Sequence, residues 1–296
     1  MNVSPASISF QLAAFRSQAL GSLIGPSSTA GKETLWAAVS RQALADSEAA
    51  GMPSAPGKAG DLKGLSPAGR NLALRDPESA YRMMSVINGN DVSFKAQFSE
   101  LSQMKSYVAQ MQEAGQSLGG IGAAASNEGI ASRLQNFVAQ YNGWVERFNP
   151  DLQRGGLLAD TQAAQVSRYE LDQSIKNIFN GAGNGVHGLA DLGISLDPES
   201  GLAALDPARL DALLTSNRPG ALSALQEFSA NFTKSASLLN SDGNFIPNRL
   251  NNLSRVIDYF ADHKASLQQE FGTGDAAKPR GQLARALAAY QEQYGV

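Results

Sequence analysis

One feature limits the possible folds of this chain more than any other: a repeated apolar rhythm. Phe94, Phe98, Leu101, Met104, Val108, Met111 and Leu118 recur at steps of three and four, with Gly115 in the one remaining slot. Ile130, Leu134, Phe137, Tyr141, Trp144 and Phe148 step by four, three, four, three and four. Leu250, Leu253, Ile257, Phe260, Leu267 and Phe271 keep the same rhythm, with Lys264 the only interruption. A helix places residues at such spacings on one stripe, so each segment reads as a rod with a narrow greasy seam. A seam cannot be buried alone. Each large side chain taken from water contributes about 1.5–3 kcal/mol, so the three rods must pack on one another or on other subunits. The expected fold is mainly α, an antiparallel bundle of coiled-coil-like helices. The short turn around 119–128 favours pairing the first two as a hairpin.

Punctuation refines the boundaries. Asp76-Pro77-Glu78 is a helix start, because aspartate caps free amides, proline tolerates the first turn and glutamate suits the positive dipole end. The helix it opens is expected over 77–87, ending at Asn88-Gly89-Asn90, with Asp91 capping the next. Asn149-Pro150 is expected to end the second rod, since the residue before proline avoids helical geometry. Pro247 and Gly272 bracket the third rod. Residues 189–206 have another texture. Ile194 and Leu196 alternate with small or polar neighbours, Pro198-Glu-Ser-Gly201 turns, and Leu202 and Leu205 return. This predicts a short β-hairpin near 193–205, with Asp206-Pro207 opening a helix whose buried side carries Leu210, Leu213 and Leu214.

Toward the amino terminus the signal weakens. Ile8, Leu12, Phe15, Ala19 and Leu23 allow a helix over 6–24, either a functional amphipathic stripe or a marginal helix docked on the body. A further helix fits 32–48 around Leu35, Trp36 and Val39, between glycine- and proline-rich breaks. The expected organisation is a flexible, partly helical segment over 1–75, a helical core over 76–275 and a short helix within 276–296. Leu283, Leu287, Tyr290 and Tyr294 supply its stripe.

Composition excludes several functions. The 296 residues are 43% hydrophobic, enough for a real core, but only 7% aromatic. There are no cysteines, so disulfides, thiolate catalysis and cysteine metal sites are absent. The 24 basic and 27 acidic residues are interspersed, for a net charge of −3, without the positive concentration that nucleic acid requires. No run approaches the roughly 18–20 apolar residues that cross a bilayer, so no membrane insertion is expected. The first residues lack the pattern of a cleaved secretory signal.

Reactive clusters are equally scarce. Gly183-Asn-Gly-Val-His-Gly188 has the spacing of a dinucleotide loop but follows a helical stretch, Ser174 to Phe179, instead of a strand. His187 and His263 are isolated, and no glutamate-bearing zinc motif accompanies them. Asp191, Asp197 and Asp206 are accounted for by turns and caps. Lys264 reads as a stem over apolar surface with its ammonium in water. No enzyme activity and no cofactor are expected, and the residues expected to make protein contacts are Trp144, Phe148, Ile257 and Phe260.

An ordered set of short motifs adds a resemblance. Phe137-Val-Ala-Gln-Tyr-Asn142, Gly156-Leu-Leu-Ala-Asp160, Leu189-Ala-Asp-Leu-Gly-Ile194, Asp197-Pro-Glu-Ser-Gly-Leu202, Leu205-Asp206 and Ser241-Asp-Gly-Asn244 occur in this order before a long amphipathic helix. The succession, over about 128–272, resembles the carboxyl-terminal region of the flagellar hook-associated protein two family, the filament caps. Members of that family usually carry β-rich outer domains where this chain has its first rod. The resemblance implies a non-enzymatic structural role in filament assembly, with flagellin or other axial proteins as partners and possible homo-oligomers. It also implies export to the flagellum without a cleaved signal. The alternative is a stand-alone cytoplasmic adaptor or regulator that reuses the fold.

Overall fold

The computed structural model describes residues 64–176 and 185–295. The helices expected over 6–24 and 32–48 lie outside the described residues. The described chain is mainly helical with one two-stranded antiparallel sheet, as the rhythm of the rods predicts.

Helix α1 runs from Pro77 to Gly119 without a break. Its start is the expected one: Asp76 accepts from the Ser79 amide at 3.1 Å and from the Ser79 hydroxyl at 2.7 Å. The stop expected at Asn88-Gly89-Asn90 does not occur. Asn88 finds partners outside its own backbone, donating from Nδ2 to the carbonyls of Thr273 at 3.0 Å and Asp275 at 2.9 Å. Asp91, expected as a cap, pairs instead with Lys95 one turn later at 2.8 Å. Tertiary partners thus outweigh the local preference of these residues for turns.

Helix α2 spans Asn127–Leu152, capped by Ser126, whose hydroxyl accepts from the Gly129 amide at 3.1 Å. Ile130, Leu134, Phe137, Tyr141, Trp144 and Phe148 all face inward. The helix passes its expected end at Asn149-Pro150 by two residues. Pro150 sits in the last turn, where its missing N–H costs one bond, and the Gln153 amide still closes on the Asn149 carbonyl at 3.2 Å.

Helix α3 (Gln162–Lys176) precedes the hairpin, formed by β1 (Ile194–Leu196) and β2 (Ala203–Leu205). Ile194 pairs with Leu205, Ser195 with Ala204 and Leu196 with Ala203. Asp197 builds the turn by accepting from the amides of Ser200 at 2.7 Å and Glu199 at 3.2 Å, while Gly201 supplies the left-handed conformation at φ +73°. Asp206 then caps α4 (Pro207–Ser216) by accepting from the Ala208 and Arg209 amides. Leu210 and Leu214 are buried as expected, and Leu213 is half-buried.

Helix α5 (Arg218–Asn240) is capped by Asn217, and α6 (Phe245–Phe271) and α7 (Gly281–Tyr294) complete the described chain. No helix among the described residues is long and apolar enough to cross a membrane.

The core read from sequence as one domain over 76–275 divides into two compact units. One comprises the described residues up to Ser99 together with those from Asn251 onward; the other is Glu100–Leu250. In the first, Met84, Ile87, Phe260 and Leu267 form the centre, flanked by Phe94, Tyr259 and Phe271. Phe94 stacks on Phe260 with ring centroids 6.2 Å apart. The irregular stretch after α6 is stitched to α1 and to the segment that precedes it. The Thr273 amide donates to the Gly69 carbonyl, the Asp275 amide donates to the Ser85 hydroxyl at 2.7 Å, and the Tyr81 hydroxyl donates to Asp275 at 3.0 Å. Gly274 has φ +61°, and a Cβ there would lie 2.5 Å from the Ser85 nitrogen, so only glycine fits.

In the second unit, α2 runs antiparallel to the carboxyl-terminal part of α1, as the short turn predicts. Arg133 donates to the Ser117 carbonyl near the turn, while Tyr107 meets Phe148 edge-on far from it, at 5.4 Å. Phe137 packs edge-on against Phe228 and Phe232 of α5 at 5.1 and 4.9 Å. Gly115, the gap in the first stripe, is where the Phe232 ring arrives: a Cβ there would lie 2.7 Å from its Cδ1.

Candidate functional site

The hairpin and its neighbours frame a concavity of the Glu100–Leu250 unit. It is a cleft of about 740 Å³ between the end of α3, the loop before β1, β1 itself and the start of α4. Ile175 and Ile194 give it apolar surface, and Lys176, Arg209, Asp191 and Asp206 bring charge to its walls. Much of that charge is already engaged. Asp191 accepts from the His187 amide at 2.9 Å and lies 3.8 Å from the Arg209 guanidinium, and Asp206 is committed to capping α4. The His187 residue is exposed. Among the described residues, no group of three His, Asp or Glu side chains is placed to hold a metal ion. The cleft can offer hydrogen bonds and a mixed electrostatic lining.

Of the motif spaced like a dinucleotide loop, Gly183 and Asn184 lie outside the described residues. The remainder follows a helix and leads into the hairpin, the opposite of the strand-to-helix context such a loop requires. His263 lies on α6, stacked on Tyr259 at 4.2 Å, with its Nδ1 2.9 Å from the Tyr259 carbonyl oxygen. Lys264 is exposed.

The four residues expected to make protein contacts are interior. Trp144 is 1%, Phe148 0%, Ile257 5% and Phe260 4% exposed. Trp144 and Phe148 touch each other at 5.8 Å in one unit, whereas Ile257 and Phe260 belong to the core of the other. The chain covers these seams with its own side chains, so they hold the fold and are not offered to a partner in this conformation. The periodicity identifies buried residues correctly but cannot say what buries them.

Large apolar surface instead lies at Leu72, Tyr169, Leu238, Phe245 and Tyr294, each at least 40% exposed. Leu238 and Phe245 flank the Ser241–Asn244 turn between α5 and α6. Tyr294 stands at the end of the α7 stripe, edge-on to Phe98 at 5.6 Å and 4.7 Å from Tyr290. Only Tyr294 has a sequence signal, its place in the stripe of 283–294. The other four fall outside any seam.

A family-model scan, a search of curated proteins and a search of solved structures each return no match to this chain.

Proposed function

We propose that this chain is a non-enzymatic structural protein of the filament-cap kind, working through protein–protein contacts during assembly of a bacterial flagellum. The observation that carries the reading is the way the motifs behind the resemblance meet. Asn142, which ends the first motif, grips Ala203 of β2 by both of its amide atoms: Nδ2 donates to the Ala203 carbonyl at 2.8 Å, and Oδ1 accepts from the Ala203 amide at 2.7 Å. Asp197 and Asp206, from two further motifs, shape the two ends of the same hairpin. The motifs are therefore joints of one helix-and-hairpin assembly, as expected of a scaffold whose product is a surface.

On this reading Leu238, Phe245 and Tyr294 supply apolar contact, and flagellin or a second copy of the chain covers them. The test is sedimentation of the purified chain across a concentration range, alone and with flagellin of the same bacterium. Self-association or co-sedimentation is expected. A monomer at every concentration that leaves flagellin unbound would overturn the proposal and favour an adaptor that reuses the fold.

A further inference from the structure

The two outer edges of the hairpin are treated differently. The Asp197 amide donates to Leu202 at 2.9 Å and the Asp206 amide to Gly193 at 2.8 Å. In an antiparallel pair this alternation turns the backbone groups of residues 193, 195 and 197 toward β2 and those of Ile194 and Leu196 away from it. Ala203, opposite Leu196, likewise faces outward, and Asn142 occupies both of its groups. On the β1 side the Ile194 amide is taken by the Leu189 carbonyl at 3.0 Å. The Ile194 carbonyl and the amide and carbonyl of Leu196 have no backbone partner among the described residues.

This open edge lies in the cleft. Gly193, Ile194, Ser195 and Leu196 all line it. Successive side chains of a strand point to opposite faces, so a cavity that touches all four residues meets the edge of β1 and not one face. The charges around it are unevenly spent. Asp206 Oδ1 accepts from two amides of α4, and Asp191 holds the His187 amide and lies 3.8 Å from Arg209. Lys176, exposed at the end of α3, has no carboxylate in ion-pair reach among the described residues. The cleft therefore keeps a cation in reserve and offers Ile175, Ile194 and Leu196 as apolar lining.

We propose that the cleft is a strand-addition site for an extended peptide segment with acidic and apolar side chains. The segment lies along β1, bonds through its backbone to Ile194 and Leu196, sets a carboxylate against Lys176 and lays an apolar side chain on Leu196. Backbone pairing supplies affinity and the side chains supply selection. The end of α3 and the start of α4 flank the edge, so a lone extended segment enters more readily than the hairpin of a second folded copy. The proposal does not depend on a role in filament assembly.

The experiment titrates the full-length chain into a fluorescein-labelled octapeptide of alternating valine and glutamate, followed by anisotropy. Saturable binding is expected, with slower exchange of the Leu196 amide hydrogen in the complex. The same peptide N-methylated at every residue keeps its side chains but loses its backbone donors, and should not bind. A valine–lysine peptide should bind more weakly than the valine–glutamate one. Lys176→Glu should weaken binding of the glutamate peptide about fivefold, the upper range for one exposed ion pair. Lack of saturable binding, binding that survives N-methylation, a preference for lysine, or unchanged exchange at Leu196 would each overturn the proposal. Slowed Leu196 exchange that follows protein concentration and excludes the peptide would also overturn it, by giving the edge to a second copy.

Discussion

At the scale of single residues, Asn142 shows how a side chain can take the place of a strand. The outward-facing N–H and C=O of Ala203 would otherwise sit unpaired in a residue that is 5% exposed. The planar amide of Asn142 offers one donor and one acceptor at the spacing a neighbouring backbone would supply. Asn142→Ala should strand both groups and cost about 1–3 kcal/mol, the usual penalty for burying unpaired polar atoms. Urea unfolding would read the loss, and faster exchange of the Ala203 amide hydrogen would locate it. Asn142→Asp should fail in a different way, by facing the Ala203 carbonyl with a second acceptor. Nothing in the sequence singles out Asn142 for this pairing, because it depends on α2 lying against a hairpin some 60 residues later. The caps are legible for the opposite reason. Asp76, Asp197 and Asp206 bond to amides two or three residues away, so the local sequence holds the whole interaction.

At the scale of elements, the instructive case is α1. Asn88-Gly89-Asn90 looks like a break because asparagine and glycine favour turns, yet the helix continues since Asn88 bonds to Thr273 and Asp275. Gly89 is then a glycine that the packing does not require, since a Cβ built there meets nothing within 4 Å. Gly89→Ala should raise stability by about 0.5–1 kcal/mol, the ordinary helix-interior difference between the two residues. Gly115→Ala, in the same helix, should lower it, because the added methyl would force the Phe232 ring aside. Paired denaturant titrations of these two variants would check both signs. The rods with full seams are readable because large apolar residues mark them. Helix α5 is harder to read although Ala221, Leu225, Phe228, Phe232 and Leu239 form its buried side, since alanine at several positions thins the pattern. Helix α3 hides more completely, with Ala163, Ala164 and Ser167 on its inner face.

At the scale of the whole molecule, the division into two compact units has no sequence signal. Both boundaries fall inside helices, between Ser99 and Glu100 in α1 and between Leu250 and Asn251 in α6, where the apolar rhythm continues unchanged. Rhythm reports which side of a helix is dry, and the identity of the neighbour is a separate question. For the same reason it points to Trp144, Phe148, Ile257 and Phe260 as contact residues when they are interior. The nine residues between α6 and α7 have a consequence for handling the protein. A protease must draw a stretch of backbone into its own groove, and up to Asp275 this stretch is already tied to Gly69, Ser85 and Asn88. Beyond it Lys278 precedes proline, a bond trypsin avoids, whereas Arg255, Lys264 and Arg285 are held within helices. Among the basic residues from Asn251 onward, brief digestion should therefore cut first after Arg280, as mass spectrometry of the fragments would reveal. The nick would untether α7 from the covalent chain and leave the preceding strap in place.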